Sequence, residues 1–198
     1  MKGSSVKGKY LKGKTIKFDG TQLTPLWVCS TTDIVGDAIV AFSGPCDVPP
    51  DRMPDVENRS RGKSMAAPEM IHFIVEYFAC DLECTLFVRR LLATVAADVL
   101  RDVTYDEVDI ERDYDDLFAY MPDEEDRRGL SVSSATVSQV SGLVHLGMNA
   151  NVSSGPRGAA GLEEMGVDDI DAFVVEVLRR FIEEVKDLKT SAGKTMPV

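Results

Sequence analysis

The sequence lacks the long apolar run that a membrane-spanning helix needs, and it shows no secretory signal. No stretch of about eighteen consecutive apolar residues occurs, which excludes a bilayer-spanning helix. The opening segment, MKGSSVKGKYLKGK, is basic but has neither an apolar stretch nor a small-residue cleavage site. We therefore predict a cytoplasmic protein without a membrane partner.

Cysteine and positive charge are also scarce. Cys29, Cys46, Cys80 and Cys84 lack the paired C-x-x-C spacing of zinc sites. In a reducing compartment we expect them to be free thiols that pack as small hydrophobic side chains. Because 22 Lys and Arg face 33 Asp and Glu, the net charge is -11, which disfavours nucleic acid as a partner.

The charge is unevenly distributed along the chain. The lysines near the start lie in a segment without acidic residues, whereas residues 102–126 are crowded with Asp and Glu. We predict a basic N-terminal arm over 1–13, a single domain over 14–188 and a C-terminal tail over 189–198. Binding of tRNA by the arm is a weaker alternative.

The pattern of apolar residues predicts strands in the first half of the chain. Short strands flanked by Gly and Pro are predicted at KTIKFDG, TPLWVCS and DAIVAFS, the last closed by Gly44-Pro45. A long proline-rich loop is predicted after them. MIHFIVEYF (70–78) alternates strictly and is rich in β-branched and aromatic residues, which favours a strand.

Two helices and a hairpin complete the predicted fold. Apolar residues recur at helical spacing over 82–101 and again in the last helix, which starts near Asp168 or Asp169. VDIER and DLFAY are predicted as short strands, and 129–137 with 142–152 as a hairpin. The prediction is an α+β fold, with a mixed, mainly antiparallel sheet packed against a long central helix and a C-terminal helix.

Polar side chains share one face of two predicted strands. On the strand at 142–152 they follow each other at alternate positions, as His145, Gly147, Asn149 and Asn151. His72 and Glu76 share a face of the 70–78 strand. We predict that these residues line a cleft where His72, Glu76 and His145 do acid–base chemistry or hold a metal. The alternative is a set of hydrogen-bonded structural residues.

Several segments resemble known families. From about residue 70 to 185, the chain resembles the catalytic domain of biotin and lipoate protein ligases. Asp115-Asp116-Leu117-Phe118 falls at their Asn-Asp-Leu/Ile-Tyr turn, Arg127-Arg128-Gly129-Leu130 at their Gly-Arg-Lys-Leu hairpin and HLGMNANV at their Gly-x-Asn-Val strand. More closely, the chain resembles the archaeal family named domain of unknown function 366, in the segments FDGTQLTPLW, IVAFSGPCDV, MIHFIVEYF, LSVSSATVSQVS, HLGMNANV and GLEEMGVD. That resemblance implies a biotin/lipoate ligase-like, class II aminoacyl-tRNA synthetase-like fold and no activity.

The ligase resemblance implies a basic phosphate site. In those enzymes an Arg- and Gly-rich loop closes over an acyl-adenylate, and the matching linker here contains Arg59, Arg61 and Lys63. These cations could neutralise phosphate oxygens; the alternative is a solvated basic patch. The ligase hairpin also holds a lysine that contacts the carboxylate and the phosphate, but Gly129 occupies that position here. Arg128 could supply the charge, although guanidinium and ammonium are not equivalent.

Two further polar groups are candidate ligand contacts. Asp115 and Asp116, with Asp113, could hold magnesium beside a nucleotide, or could simply form a solvated turn. Ser131 and Ser133 could donate hydrogen bonds to a ligand, or could belong to a wet sheet face.

These features give two functional hypotheses. The first is a cleft that binds a small carboxylate or acyl group, with ATP and magnesium as candidate cofactors, for acyl activation or transfer to an acceptor protein. The second is a non-catalytic ligand-binding or assembly protein that kept the fold and lost the ligase lysine. A homo-oligomer is left open.

Overall fold

The computed structural model describes residues 6–122, 124–153, 155 and 158–195. A five-stranded sheet forms its centre, in the order β1 (Lys7–Thr15), β2 (Ala38–Val48), β3 (Met65–Phe78), β8 (Ser141–Asn151) and β7 (Ser131–Val137). β1 is parallel to β2, and the other neighbours are antiparallel. The predicted mixed, mainly antiparallel sheet is confirmed.

The described residues also form a smaller sheet and four α-helices. The sheet contains β4 (Asp109–Asp113), β5 (Asp116–Tyr120) and β6 (Arg128–Gly129). The helices are α1 (Trp27–Thr32), α2 (Val56–Ser60), α3 (Leu82–Val103) and α4 (Ile170–Lys194), and short 3-10 helices span Pro50–Arg52 and Glu163–Met165. In the described part of the chain, no helix is both long and apolar enough to cross a membrane.

The two long helices begin where the sequence provides a capping carboxylate. Asp81 accepts a hydrogen bond from the Cys84 backbone N–H at 2.8 Å, and Asp169 accepts one from the Ala172 N–H at 2.8 Å. Each bond satisfies a donor that has no partner within the helix. Apolar side chains at helical spacing then pack both helices on one face of the sheet. We call this the helix face.

The sheet is buried on both faces at its centre. On the helix face, Phe73 of β3 and Leu146 of β8 join the main core. On the opposite face, Phe42 and Ile74 belong to a second core, covered by Phe18 and by residues of α1. We call this the covered face. The sequence predicted one buried face with a polar cleft opposite, because a strand with polar residues on one side is normally half exposed.

Two predicted segments have different structures. TPLWVCS was predicted as a strand, but Trp27–Thr32 forms a short helix, with Leu26 before it and Asp33 after it in left-handed conformation. The predicted arm over 1–13 overlaps the edge strand Lys7–Thr15, in which Leu11 is buried on the covered face. This strand was not predicted because most of its residues are lysine or glycine, which are uncommon in strands.

Element boundaries also differ from those predicted. Gly44-Pro45 does not end β2, which continues to Val48, and the predicted long loop contains α2 and the start of β3. α4 continues to Lys194, into the predicted tail. The division into an arm, one domain over 14–188 and a tail otherwise stays a prediction.

Candidate functional site

A pocket opens at the corner of the sheet where β3, β8 and β7 meet the segments around Gly129 and Ala159. It has a volume of about 200 Å³. Its lining is mostly small or apolar, namely Met65, Ala66, Ala67, Met70, Val132 and Ala159, with Gly129, Gly158, Ser131 and Asn149. Met70 pairs with Asn149 in the sheet register, so both side chains lie on the covered face. We call this site the sheet-corner pocket.

Asn149 presents a hydrogen-bond acceptor in this pocket. Its side-chain amide donates to the backbone carbonyls of Gly129 at 3.2 Å and Ala160 at 3.1 Å. Because both partners only accept, the orientation of the amide is fixed. No described residue donates to Asn149 Oδ1, and the residue remains 8% exposed. A ligand in the pocket would therefore meet a carbonyl oxygen that requires an N–H or O–H donor.

The segment from Arg59 to Lys63, which we call the basic segment, precedes the wall of the pocket in the chain. Arg59 lies in the last turn of α2, Arg61 and Lys63 follow the helix, and Met65 begins β3 and lines the pocket. Arg61 forms an ion pair with Glu57 at 2.6 Å. Arg59 and Lys63 are exposed, and neither forms an ion pair with a described residue. Two uncompensated positive charges thus lie close in sequence to the pocket wall.

Arg128 stabilises the segments beside the pocket. Its guanidinium donates to the Ala159 carbonyl and forms an ion pair with Glu164 at 2.9 Å. These bonds leave little capacity for a ligand phosphate. At Gly129, an added Cβ would lie 3.9 Å from the nearest atom, the Gly158 carbonyl oxygen. The backbone therefore leaves room for a side chain at the position where the resemblance predicts the ligase lysine.

His72 and His145 form a pair inside the second core. Their Nδ1 and Nε2 atoms are 3.0 Å apart, and His72 Nε2 is 3.1 Å from the Gly44 carbonyl. Since that carbonyl only accepts, His72 Nε2 carries a proton and His145 Nε2 donates to His72 Nδ1. The ring of Phe18 stacks on His145 with centroids 3.6 Å apart. Both imidazoles are fully buried, at 0% exposure.

Burial keeps this pair neutral. It lowers the pKa of His72 to about 4, against a smaller opposing effect of the Gly44 hydrogen bond. It also lowers the pKa of His145, with a further contribution from His72. His145 Nδ1 has no partner among the described residues. The pair lies on the same face as Asn149, as expected, but Phe18 separates it from solvent; a catalytic role stays a prediction.

Glu76 also has a structural environment. It is 1% exposed, and Oε1 accepts hydrogen bonds from the Leu26 backbone N–H at 2.6 Å and from Ser141 Oγ at 3.0 Å. Leu26 is the residue before α1. Glu76 therefore attaches α1 to the centre of the sheet, and it forms no hydrogen bond to either histidine among the described residues.

Aspartates of the turn at 113–116 form ion pairs with arginines. Asp115 forms ion pairs with Arg89 and Arg90, and Asp113 pairs with Arg127 at 2.7 Å. Burial raises the pKa of Asp116, although hydrogen bonds from Ser133 oppose the shift. Among the described residues, no group of three or more His, Cys, Asp or Glu side chains could hold a metal ion. The carboxylates therefore do not fit the predicted magnesium role.

The remaining candidates divide between the pocket and the structure around it. Ser131 lines the pocket, but its hydroxyl accepts a bond from the Leu117 N–H; Ser133 donates to the Asp115 carbonyl. A Cβ on Gly147 would lie 3.0 Å from both His145 and Met70, so a larger residue there would have to displace these side chains. Asn151 donates to Glu163 at 2.6 Å and lines two pockets beside the sheet-corner pocket.

Sequence reasoning missed most of the pocket lining. Met65, Ala66 and Ala67 precede the predicted strand, and Gly158 and Ala159 lie in a glycine-rich stretch far along the chain. The small residues between the basic segment and the strand were the available signal, because small side chains leave room for a ligand.

Several solved structures with a similar fold are biotin and lipoate protein ligases. Biotin protein ligase from Aquifex aeolicus, in complex with biotin and ATP, has a TM-score of 0.58 at 16% identity, covering 94% of this chain and 72% of that one. The bipartite lipoate protein ligase from Thermoplasma acidophilum has a TM-score of 0.56 at 12% identity, covering 92% and 85%. At these identities the likeness shows the fold alone, and it confirms the predicted ligase-like fold.

More similar proteins carry no assigned activity. A protein of unknown function from Pyrococcus horikoshi has a TM-score of 0.85 at 29% identity, covering 98% of this chain and 100% of that one. An uncharacterised protein of Methanocaldococcus jannaschii is 32% identical over 190 residues, 92% of this chain and 81% of that protein. Because the profile of the family described as Domain of unknown function (DUF366) matches residues 8–196, the chain belongs to that family.

Proposed function

We propose that this protein binds a small acyl-type molecule in the sheet-corner pocket. The observation that carries the proposal is the fixed amide of Asn149, whose free Oδ1 adjoins an otherwise small and apolar lining. Ligand sites commonly combine an apolar wall with a few oriented polar groups. The ligand would have an apolar body and an N–H or O–H donor directed at Asn149.

Charge on the basic segment extends the proposal to an acidic ligand. Arg59 and Lys63 have no ion-pair partner among the described residues, and they precede the pocket wall at Met65. They would neutralise a carboxylate or phosphate at the mouth of the pocket. A ligand with both features is a small carboxylate that also carries an amide, ureido, amino or hydroxyl group.

A second candidate function is ATP-dependent acyl activation followed by transfer to an acceptor protein. It is favoured by the likeness to a ligase structure that contains biotin and ATP, and by the same two unpaired cations, which would hold the phosphates. The ligand carboxylate would attack the α-phosphorus of ATP and displace pyrophosphate, which gives a mixed anhydride with AMP. An amine of the acceptor protein would then take the acyl group and release AMP. The glycine at position 129 and the occupied Arg128 favour binding alone.

Thermal denaturation tests binding directly. The protein would be heated with biotin, lipoate, octanoate or single amino acids, each with and without ATP. A ligand at one hundred times its Kd should add about 2.7 kcal/mol of stability. For a chain of this size, that corresponds to an increase in Tm of about 5 to 10 °C. No shift with any of these compounds at millimolar concentration would contradict the proposal.

Variants locate the site. Ala67→Phe should fill the pocket and abolish the shift, whereas Ala192→Phe, on an exposed position of α4, should not. Arg59→Ala with Lys63→Ala should weaken binding of carboxylates more than binding of their neutral amides. Pyrophosphate release from ATP with a bound carboxylate would establish the second function, and its absence despite binding would leave the first.

A further inference from the structure

The outer surface of the helix layer carries a groove between α3 and α4. It lies on the helix face, on the opposite side of the sheet from the sheet-corner pocket. The two helices run antiparallel, since Phe87 and Leu91 lie beside Leu188, while Asp102 forms an ion pair with Arg180 at 2.6 Å. One end of the groove thus contains the start of α3 and the end of α4.

This end of the groove is apolar and open. It encloses about 230 Å³, with Val88 and Val185 beneath and Phe87, Leu91 and Leu188 at the rim. Phe87 is 64% exposed and Leu188 is 54% exposed. Large apolar side chains clustered around an open depression indicate an interaction surface more strongly than single exposed residues do.

The groove continues into an acidic half further along the same helices. That half encloses about 340 Å³ and is lined by acidic residues of both helices. Glu184 and Asp187 form no ion pair with a described residue, whereas Arg180, which also lines this half, is already paired with Glu176 and Asp102. The acidic half therefore carries uncompensated negative charge.

We propose that the α3–α4 groove docks a cationic amphipathic helix of a partner protein. Apolar residues of that helix would enter the half rimmed by Phe87 and Leu188, and its Lys or Arg residues would meet Glu184 and Asp187. Helices commonly bind such grooves through residues repeated every three or four positions. Opposite charge adds specificity and accelerates encounter.

The spacing of the two halves defines the partner further. Leu91 and Asp98 are seven residues apart on α3, which corresponds to about 10 Å along the helix axis. The partner helix should therefore carry its basic residues about two turns away from its apolar ones. This arrangement requires a linear order of side chains, apolar at one end and basic at the other.

The charges disfavour other occupants. A second copy of this chain would present the same acidic half, in a protein whose net charge is -11. An anionic membrane would be repelled by Glu184 and Asp187, and the phosphates of nucleic acid likewise.

A pair of synthetic peptides provides the first test. Each would be a helix of about 18 residues that carries leucines along one face of its first half. In the second half of the same face, one peptide carries lysines (the lysine peptide) and the other carries glutamates (the glutamate peptide). Fluorescence anisotropy at low salt should show that the lysine peptide binds at least about tenfold more tightly. Equal binding of the two peptides, or no binding of the lysine peptide below about 100 µM, would overturn the proposal.

Variants assign binding to the groove. Phe87→Ser should lower the affinity for the lysine peptide roughly tenfold. Val175→Ser, which removes a similarly exposed apolar residue elsewhere on α4, should have no effect. Glu184→Lys with Asp187→Lys should reverse the preference towards the glutamate peptide. If Phe87→Ser and Val175→Ser behave alike, the groove is not the binding site and the proposal fails.

Photo-crosslinking in archaeal extract tests the natural partner. A photoreactive amino acid at position 87 should crosslink to a segment that mass spectrometry identifies as helical, apolar at one end and basic at the other. A crosslink to a second copy of this chain, or to a segment without basic residues, would overturn the proposal. Ala67→Phe, which fills the sheet-corner pocket, should leave every one of these results unchanged.

Discussion

The buried imidazoles of His72 and His145 should make stability depend on pH. A base whose pKa is lowered on folding binds its proton more readily in the unfolded chain. For His72, the contribution to stability is complete above the unfolded pKa of about 6.5 and is lost as pH falls from there towards 4. The loss should be on the order of 3 kcal/mol, and His145 adds to it in the same direction.

Urea denaturation between about pH 7 and pH 4.5 measures this effect. The double variant His72→Leu with His145→Phe removes both titrating groups, and its phenylalanine can still stack on Phe18. It should lose less stability over this range than the natural protein. Equal losses would show that carboxylates alone produce the pH dependence.

At the residue scale, sequence reasoning identified polar groups but not their surroundings. Alternation in HLGMNAN correctly placed His145 and Asn149 on the same face as His72. That the imidazoles are sealed by Phe18 could not be predicted, because Phe18 is more than fifty residues away in the chain. The bonds from Asn149 to Gly129 and Ala160 depend likewise on how distant segments meet.

At the scale of elements, the attachment of α1 to Glu76 gives a second prediction. Glu76→Leu removes the acceptor of the Leu26 N–H at the start of α1 and should cost about 2 kcal/mol. Because Trp27 is the one tryptophan of the chain and lies in α1, its fluorescence reports on this helix. We expect a red-shifted emission with an unchanged far-ultraviolet circular dichroism spectrum.

Glu76→Gln provides the matched control. Glutamine keeps an oxygen that can accept from Leu26, so its emission should resemble that of the natural protein. A red shift of similar size in both variants would mean that the negative charge, and not the hydrogen bond, holds α1.

Helix α1 also shows why a short element was mispredicted. Leu26, Trp27 and Val28 form a short apolar run after Pro25, and tryptophan and valine favour strands. The helix has six residues, too few for helical periodicity to become visible. The long helices α3 and α4 were predicted well because their apolar residues repeat over several turns and an aspartate caps each start.

At the scale of the whole molecule, removing the predicted N-terminal arm should destabilise the protein. Deletion of residues 1–13 would take away most of β1, including buried Leu11 and the bond from the Tyr10 hydroxyl to Asp171 at 2.6 Å. We expect a loss of several kcal/mol in urea denaturation, because a strand and its apolar contacts disappear together.

The contrasting variant removes charge and keeps the strand. Lys7→Ser with Lys14→Ser should change stability by less than about 0.5 kcal/mol, since both side chains are exposed and unpaired among the described residues. If instead the deletion is tolerated as well as this double substitution, residues 7–13 do not contribute to the sheet as described.

The overall architecture was more predictable than the site because it depends on repeated patterns. Alternation along 70–78 and 142–152, and helical spacing over 82–101, each involve many residues. A few exceptions therefore do not change the predicted element. The second core depends on a few residues of a segment with weak periodicity, among them Phe18 and Val28. The site is equally hard to predict, because the second core determines which part of the covered face remains accessible to a ligand.

The second core has a consequence for how ligand preference could evolve. It closes the centre of the covered face, so the accessible corner is bordered by strand ends and connecting segments, such as those at Ala66 and Ala159. Substitutions there can resize the opening while both cores keep their packing. Members of one lineage could in this way exchange one small molecule for another without losing a stable scaffold.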